Sequence, residues 1–237
     1  MKRTEQILYK YRGGDEVVFN RDLKALKENY FYAPSYDQLN DPCEALVNID
    51  RLNFQTRFIV SRFGGTKKDI NEITSVNNSM IEIREEIGIY SMSESPVSEL
   101  LWAHYGDGHK GFCLGYKTDK LIGDFSLEKR RLLPVQYSKS LPRFSIAMIG
   151  NDEKIKIKLI GTKSKLWSYE NEVRLISKVG KNYYEPDSLK SVYFGLRMPE
   201  SQKKQIMETL KGRKIQYFQI VQEEKGFRFF SKPLTVF

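Results

Sequence analysis

The alternation of charged and apolar side chains in residues 167–176, WSYENEVRLI, is the feature that most constrains the fold. Its charged members are Glu170, Glu172 and Arg174, and its apolar members include Val173 and Leu175. In a strand, side chains two residues apart share a face. The pattern therefore predicts a strand with two carboxylates and a guanidinium on one side and a buried core on the other.

The predicted pair of carboxylates has two interpretations. Two like charges held this close raise each other's proton affinity unless a cation or a polar ligand compensates. Such a pair suits chemistry on a sugar, where a carboxylate can hold a hydroxyl, orient a nucleophile or stabilise oxocarbenium charge. The alternative is a half-exposed strand whose wet face carries an ordinary ladder of charges. This segment alone leaves both interpretations open.

The predicted elements follow one another in an irregular order of short strands and helices. Strands are predicted at 7–12, 31–33, 88–93, 111–116, 132–137, around 170–176, 191–195, 215–221 and 227–230. Helices are predicted at 20–29, 51–62, 67–86, from about 96 to 105, 145–160 and 199–211. Because no regular strand–helix–strand rhythm is present, we expect an α+β fold. A single domain over residues 1–237, with a helical insertion around 51–86, is the predicted organisation.

The net charge and the cysteine content indicate which partners and which cellular compartment to expect. Thirty-nine Lys and Arg against thirty Asp and Glu give a formal charge of +9, which favours anionic partners such as nucleic acid or nucleotides. The N-terminus carries no signal peptide, and no apolar run is long enough to cross a bilayer. We therefore expect a cytoplasmic protein with no membrane partner. Cys43 and Cys113 lack the spacing partners of a zinc site, so no metal is expected.

Three polar signatures lie on or beside predicted strands: Arg12, the pair Ser91 and Ser93, and the pair Glu170 and Glu172. An arginine can clamp a phosphate, serines can hold a ribose, and a carboxylate can grip a ribose hydroxyl beside a glycosidic bond. Together these residues predict a site for a nucleotide sugar. Each also has an ordinary interpretation, as a surface cation or as strand and cap serines.

This order of arginine, Ser-x-Ser and Glu-x-Glu is similar to the motif set of the arginine-serine-glutamate class of ADP-ribosyltransferases. The resemblance implies a mixed, mainly antiparallel split sheet with flanking helices around a cleft, NAD as substrate, and loss of nicotinamide before transfer. It implies that Arg12 binds the NAD phosphates or ribose, Ser91 supports the cleft, Glu172 is the catalytic glutamate and Glu170 activates the acceptor. Met92 departs from the motif set, in which the middle residue is small.

Four separated motifs resemble an uncharacterised bacterial family, domain of unknown function 2971. These motifs are LYKYR at 8–12, LNDP at 39–42, LWAHY at 101–105 with KGF at 110–112, and the Glu-x-Glu segment at 167–174. The resemblance implies a bacterial protein associated with phage defence or toxin systems, without an established reaction.

Further candidate site residues lie in these motifs. They are Tyr11, Asn40, Asp41, Trp102, His104, Tyr105 and Arg174. His104 precedes a segment with Gly106 and Gly108 that lets backbone approach a ligand, and it is a candidate for proton transfer. The alternative for residues 101–105 is a core helix rich in rings. The residues at 40 and 41 are also turn formers.

The leading hypothesis is an NAD-dependent ADP-ribosyltransferase or NAD glycohydrolase. It would act as a toxin or phage-defence effector on nucleic acid or protein, with an antitoxin or sensor as partner. One alternative is a metal-independent nuclease that uses His104, Glu172 and Arg174 for acid–base work and phosphate binding. Another is a module without enzymatic activity that senses a nucleotide or a phage component.

Overall fold

The computed structural model describes residues 6–41, 43, 86–123, 130–143 and 151–235. These ranges contain twelve strands and five α-helices. The strands are β1 (Ile7–Arg12), β2 (Tyr30–Ala33), β3 (Ile87–Ser93), β4 (Phe112–Lys117), β5 (Arg131–Pro134), β6 (Gln136–Ser138), β7 (Thr162–Ser164), β8 (Glu172–Lys178), β9 (Gly180–Tyr183), β10 (Leu189–Phe194), β11 (Gln216–Gln222) and β12 (Phe229–Leu234). The helices are α1 (Glu16–Glu28), α2 (Glu99–Tyr105), α3 (Thr118–Ile122), α4 (Asp152–Ile160) and α5 (Glu200–Thr209).

Eight of these strands form one sheet in the order β12-β11-β10-β4-β1-β3-β8-β5. Every neighbouring pair is antiparallel except β10 and β11, which are parallel. Two smaller pairs, β2 with β9 and β6 with β7, lie outside this sheet. The prediction of a mixed, mainly antiparallel sheet with helices is therefore confirmed. The predicted insertion lies outside the described residues over 51–85.

The junction between β1 and β3 divides the sheet. These two strands pair only at Tyr9 and Ser93, whereas β1 pairs with β4 along its full length. Lys10 crosses the junction, because its Nζ donates to the carbonyl oxygen of Ser91 at 2.8 Å. The sheet thus has a three-stranded part (β5, β8 and β3) and a five-stranded part, and these two parts are joined at one residue pair. Such limited pairing leaves room for a cleft between them.

Alternation along the central strands separates an apolar face from a mixed one. Met92, Val173 and Leu175 lie in the largest core cluster, with apolar residues of α1, α5 and β2. On the opposite face, α4 packs on Ile89 and Ile176 at one end. At the other end, α2 packs on rings of β1 and β10, on Cys113 of β4 and on Ile220 of β11. The polar side chains of β3 and β8 lie between these two smaller clusters.

Several predicted element boundaries are wrong. The strand predicted at 132–137 is two strands, β5 and β6, in different sheets, the helix predicted from about 96 begins at Glu99, and the strand predicted at 227–230 is β12. The first helix was predicted at 20–29, but α1 begins at Glu16 because the side chain of Asp15 accepts from the Val18 amide at 2.9 Å. Glu170 was expected in the strand, but it ends a short 3-10 helix (Lys165–Glu170). Asn171 then adopts a left-handed backbone, with φ of 42°, before β8 starts. The alternation of side chains that predicts a strand gives no sign of such a turn.

Substitution of Leu175 tests the apolar face. Leu175 is fully buried on β8, so Leu175→Ala removes three carbons from a packed core and leaves a cavity. We expect the free energy of unfolding to fall by about 2–5 kcal/mol, measured by urea denaturation. The control is Leu166→Ala, because Leu166 is 85% exposed and its truncation should change stability by less than about 0.5 kcal/mol. Equal losses in both variants would contradict the described core.

Candidate functional site

An open cleft with a volume of about 230 Å³ lies on the mixed face beside the β1–β3 junction. Seven of the candidate site residues line it, namely Tyr11, Asn40, Ser91, Ser93, Tyr105, Glu170 and Glu172. Lys10, Lys163 and Tyr9 line it as well. The cleft therefore combines two carboxylates, two amines and several phenol rings.

Lys163, on β7, joins the two carboxylates. Its Nζ lies 2.6 Å from Oε2 of Glu170 and 3.1 Å from Oε2 of Glu172, and all three side chains are at most 6% exposed. The same ammonium lies over the Trp167 ring, 4.9 Å from its centroid. A buried cation thus supplies the compensation that two adjacent buried acids require.

Arg174 is the second cation of this cluster and binds Glu172 from within the same strand. Its Nε lies 2.9 Å from Oε1, and its Nη2 lies 3.3 Å from Oε2 of that carboxylate. Nη1 donates to the Ile160 carbonyl at 2.7 Å, which ties β8 to the end of α4. Burial acts to raise the pKa of Glu172, but attraction to Arg174 and Lys163 outweighs it and lowers this pKa to about 2. Glu172 is therefore ionised at neutral pH.

Glu170 has the opposite shift. Burial raises its pKa above the ordinary value, and the bond from Lys163 offsets only part of that effect. Its Oε1 accepts from the hydroxyl of Tyr105 at 2.6 Å, and that hydroxyl in turn accepts from Nδ2 of Asn40 at 2.8 Å. Two neighbouring carboxylates with divergent proton affinities can divide the roles of anion and proton acceptor.

The two serines of β3 hold this cluster against the sheet. Ser93 is paired with Glu172 across β3 and β8, and Ser91 is paired with Arg174, so all four side chains share a face. The hydroxyl of Ser93 donates to the backbone oxygen of Glu170 at 2.7 Å. The hydroxyl of Ser91 bonds to the Glu172 carboxylate and helps to lower its pKa. Both serines thus position the carboxylates.

Lys10 and two tyrosines of β1 form the wall across the cleft. Burial, followed by the nearby charge of Arg12, lowers the pKa of Lys10 to about 8. Its ammonium also lies 4.8 Å from the centroid of the Tyr90 ring. Tyr11 donates its hydroxyl to the Ser95 carbonyl at 2.8 Å, which fixes the loop before α2. This wall therefore consists of aromatic rings and the Lys10 ammonium, which loses its proton at a lower pH than an ordinary lysine does.

Arg12 lies apart from the carboxylates. Its guanidinium makes a two-bond ion pair with Asp22 of α1, with Nε 2.8 Å from Oδ2. It lines two neighbouring cavities rather than the cleft. One of these cavities shares Lys10, Tyr11 and Tyr105 with the cleft, so Arg12 stands beyond its edge.

The remaining candidates are also placed outside the cleft lining. Trp102 is fully buried and donates Nε1 to the Pro96 carbonyl at 2.9 Å, as a core residue does. Asp41 accepts from the Cys43 amide at 2.9 Å, which closes the predicted turn. His104 is exposed, with ring centroids of Trp167 and Tyr169 at 6.5 and 6.0 Å. Arg174 is 1% exposed and contacts Glu172 without lining the cleft.

Two important cleft residues, Lys163 and Lys10, were missed by the sequence interpretation. Lys163 sits in a strand of three residues, which is too short to show periodicity, and only folding brings it to the glutamates. Lys10 precedes Arg12 by two residues and so shares its strand face. The LYKYR motif was therefore a usable signal, although the lysine rather than the arginine lines the cleft.

Comparison with known proteins gives one partial match. Residues 101–175 match a family model described as Protein of unknown function (DUF2971). This range holds two of the four motifs, 101–112 and 167–174, together with Lys163, Glu170, Glu172 and Arg174. No curated protein and no solved structure matches the chain. The chain is thus similar, over this range, to an uncharacterised family, and the comparisons do not support a similarity to ADP-ribosyltransferases.

No helix in the part of the chain that the structure describes has the length and apolar content to span a membrane.

Replacement of Lys163 by methionine tests the charge cluster. Lys163→Met leaves two buried carboxylates with Arg174 as the remaining cation, so we expect the free energy of unfolding at pH 7 to fall by about 3–5 kcal/mol. The pKa of Glu170 in the folded variant should rise further above its unfolded value. The folded state then binds a proton more tightly than the unfolded chain, and part of the loss should be regained as the pH falls from about 7 to about 5.

Urea denaturation at several pH values measures this effect. The control is Lys165→Met, which removes an exposed charge from the same segment and should leave stability nearly unchanged at every pH. A loss in Lys163→Met that stayed constant with pH would contradict the assignment of a raised pKa to Glu170.

Proposed function

We propose that the protein cleaves the N-glycosidic bond of NAD, releases nicotinamide, and passes ADP-ribose to an acceptor or to water. The observation that carries this proposal is the pair of buried carboxylates with opposite pKa shifts, bridged by Lys163 in the wall of an aromatic cleft. The class is that of glycosyl-transferring enzymes acting on a dinucleotide, and the residue roles below follow from the cluster's chemistry.

Glu172 is the residue that stabilises charge on the sugar. Departure of nicotinamide leaves positive charge on the ribose, and a preorganised anion nearby lowers the barrier to that step. The pKa of about 2 keeps the carboxylate of Glu172 ionised across the physiological range. Ser91 and Arg174 fix its orientation, so little reorganisation is needed during the reaction.

Glu170 is the residue that activates the acceptor. Its raised pKa suits a base that takes a proton from an attacking hydroxyl, because a higher proton affinity favours proton transfer. Tyr105 and Lys163 hold its two oxygens in place. Transfer to water would make the protein a glycohydrolase, whereas transfer to a larger acceptor would make it an ADP-ribosyltransferase.

The cleft walls suit the two ends of the nicotinamide mononucleotide half. Tyr9, Tyr11 and Tyr105 offer rings for the flat nicotinamide, and Lys10 offers a cation for a phosphate. The adjoining cavity leads from these residues to Arg12, which adds a second cation for the diphosphate. A split sheet is part of this proposal, and the single residue pair between β1 and β3 beside the cleft supports it.

Of the two possible acceptors for ADP-ribose, nucleic acid and protein, the surface suits nucleic acid better. His104, Trp167 and Tyr169 form a partly exposed group of rings next to Tyr105, and unpaired bases stack on such groups. The formal charge of +9 attracts a polyanion. An enzyme that consumes NAD or modifies nucleic acid in the cytoplasm would act as a toxin or phage-defence effector, restrained by an antitoxin or sensor protein.

Loss of the Glu172 charge is the first test of this function. Glu172→Gln should slow nicotinamide release from NAD by about 100- to 1,000-fold, because the neutral amide cannot stabilise the cationic sugar. Release is measured by chromatography with labelled NAD. This variant also loses one partner of a buried ion pair, so its stability should fall by about 3–5 kcal/mol.

The matched control is Leu175→Ala, on the same strand and the opposite face. It is expected to lose comparable stability while its side chain makes no contact with the cleft. Below the melting temperature of both variants, Leu175→Ala should retain nicotinamide release. If both variants lost release equally, or if the unmodified protein released no nicotinamide, Glu172 would have no catalytic role in this reaction.

Substitution of Glu170 separates transfer from hydrolysis. Glu170→Gln should reduce transfer of labelled ADP-ribose to RNA, DNA or protein by about 100-fold, since the acceptor loses its base. Nicotinamide release should fall much less, because Glu172 keeps its charge. Both products are counted in one assay, and a variant that loses release and transfer in equal measure would show that Glu170 does not act on the acceptor.

A further inference from the structure

A second cavity lies on the other side of the β1–β3 junction, between the sheet, α1 and the β2–β9 pair. Its volume is about 400 Å³, which is larger than that of the cleft. Lys10 and Pro34 line both spaces, so the ammonium of Lys10 stands between them. None of the acids of the cleft lines this cavity, and the proposed NAD site uses only Lys10 and Arg12 of its lining.

The lining of this second cavity is strongly cationic. Four cations, Lys10, Arg12, Arg21 and Lys181, face one carboxylate, that of Asp22, which gives the described lining a formal charge of +3. Arg12 and Arg21 share the single Asp22, with Arg21 Nε 3.5 Å from it. The positive charge of the cavity is therefore only partly neutralised from within.

Two of these cations remain available to a ligand at the mouth. Arg21 on α1 is 60% exposed and Lys181 on β9 is 47% exposed, so solvent reaches both heads from opposite walls. The nearest carboxylate to Lys181 is Glu28, at 4.0 Å, the outer limit of an ion pair. A small anion placed between the two walls would gain charge-assisted hydrogen bonds without displacing a tight salt bridge.

Aromatic rings form much of the remaining lining. Tyr30, Phe31, Tyr90 and Tyr116 are buried there, and Tyr32 is 51% exposed at the outer wall. An inorganic anion alone would not need such walls, and a purely apolar ligand would leave the cations uncompensated. A ligand that carries both a flat ring and an anionic group matches both parts of the lining.

We propose that this second cavity binds a nucleoside monophosphate, with its phosphate at the cations of α1 and β9 and its base against the tyrosine rings. The binding is separate from NAD cleavage, because its phosphate contacts, Arg21 and Lys181, and its tyrosine rings have no role in the proposed NAD site.

Isothermal titration calorimetry with AMP and UMP tests this inference on the full chain. One molecule should bind per protein, and adenosine and inorganic phosphate should each bind at least about tenfold more weakly, since each supplies half of the contacts. Arg21→Gln should weaken AMP by about tenfold or more, through loss of a charge-assisted contact. Tyr32→Ala should weaken AMP but leave the weak binding of inorganic phosphate unchanged.

The matched control is Lys24→Gln, one turn along α1 from Arg21. Lys24 is 61% exposed, like Arg21, but does not line the cavity, so AMP affinity should be unchanged. Equal weakening in both variants would show attraction to net charge and overturn the site. Inorganic phosphate binding as tightly as AMP, or no AMP binding at all, would overturn it too.

Glu170→Gln distinguishes this site from the cleft. AMP affinity should be the same in that variant, because Glu170 lines only the cleft. Affinity that changed in Glu170→Gln but not in Arg21→Gln would place the ligand in the cleft and refute the inference. AMP binding without any release of nicotinamide would leave the second site standing and remove only the proposed enzymatic function.

Discussion

The buried charge cluster of Lys163, Glu170, Glu172 and Arg174 is the interaction on which the rest of the site depends. Two cations and two carboxylates are removed from water together, and each ion is compensated by a neighbour at 2.6–3.1 Å. Withdrawing any one member would leave an uncompensated charge in a medium that solvates it poorly. The cluster consequently fixes the approach of β7 to β8, and it fixes the ionisation of both acids at the same time.

The weak junction of the sheet gives this cluster access to a ligand. β8 and β3 pair along seven residues and carry the carboxylates and serines, whereas β3 and β1 meet at one residue pair. The gap between them opens as a cleft on one face and as a cationic cavity on the other, with Lys10 between the two. A fully paired sheet at this point would have closed both spaces, so the irregularity in strand pairing is what creates room for chemistry.

Local sequence patterns predicted the individual elements better than the site. The alternation around Val173 and Leu175 predicted β8 and its buried face, and the seven candidate residues in the cleft come from five separate stretches of the chain. The placement of Arg12 could not be read in the same way, because its partner Asp22 lies on another element, α1, and only folding brings the two side chains together. Glu170 was expected in the strand, yet a 3-10 helix delivers its carboxylate to the same cluster by another route.

The sequence by itself determined which residues alternate between core and polar face, since periods of two and 3.6 residues are local properties of the backbone. It also determined that Glu172, Arg174 and the two serines would stand on strands. Only the tertiary structure decided that Lys163 neutralises both acids, that Ser91 and Ser93 face them, and that Lys10 rather than Arg12 enters the cleft. Those outcomes depend on strand register and on contacts between distant segments. Electrostatic compensation acts through space, so it produces no periodic pattern in the sequence.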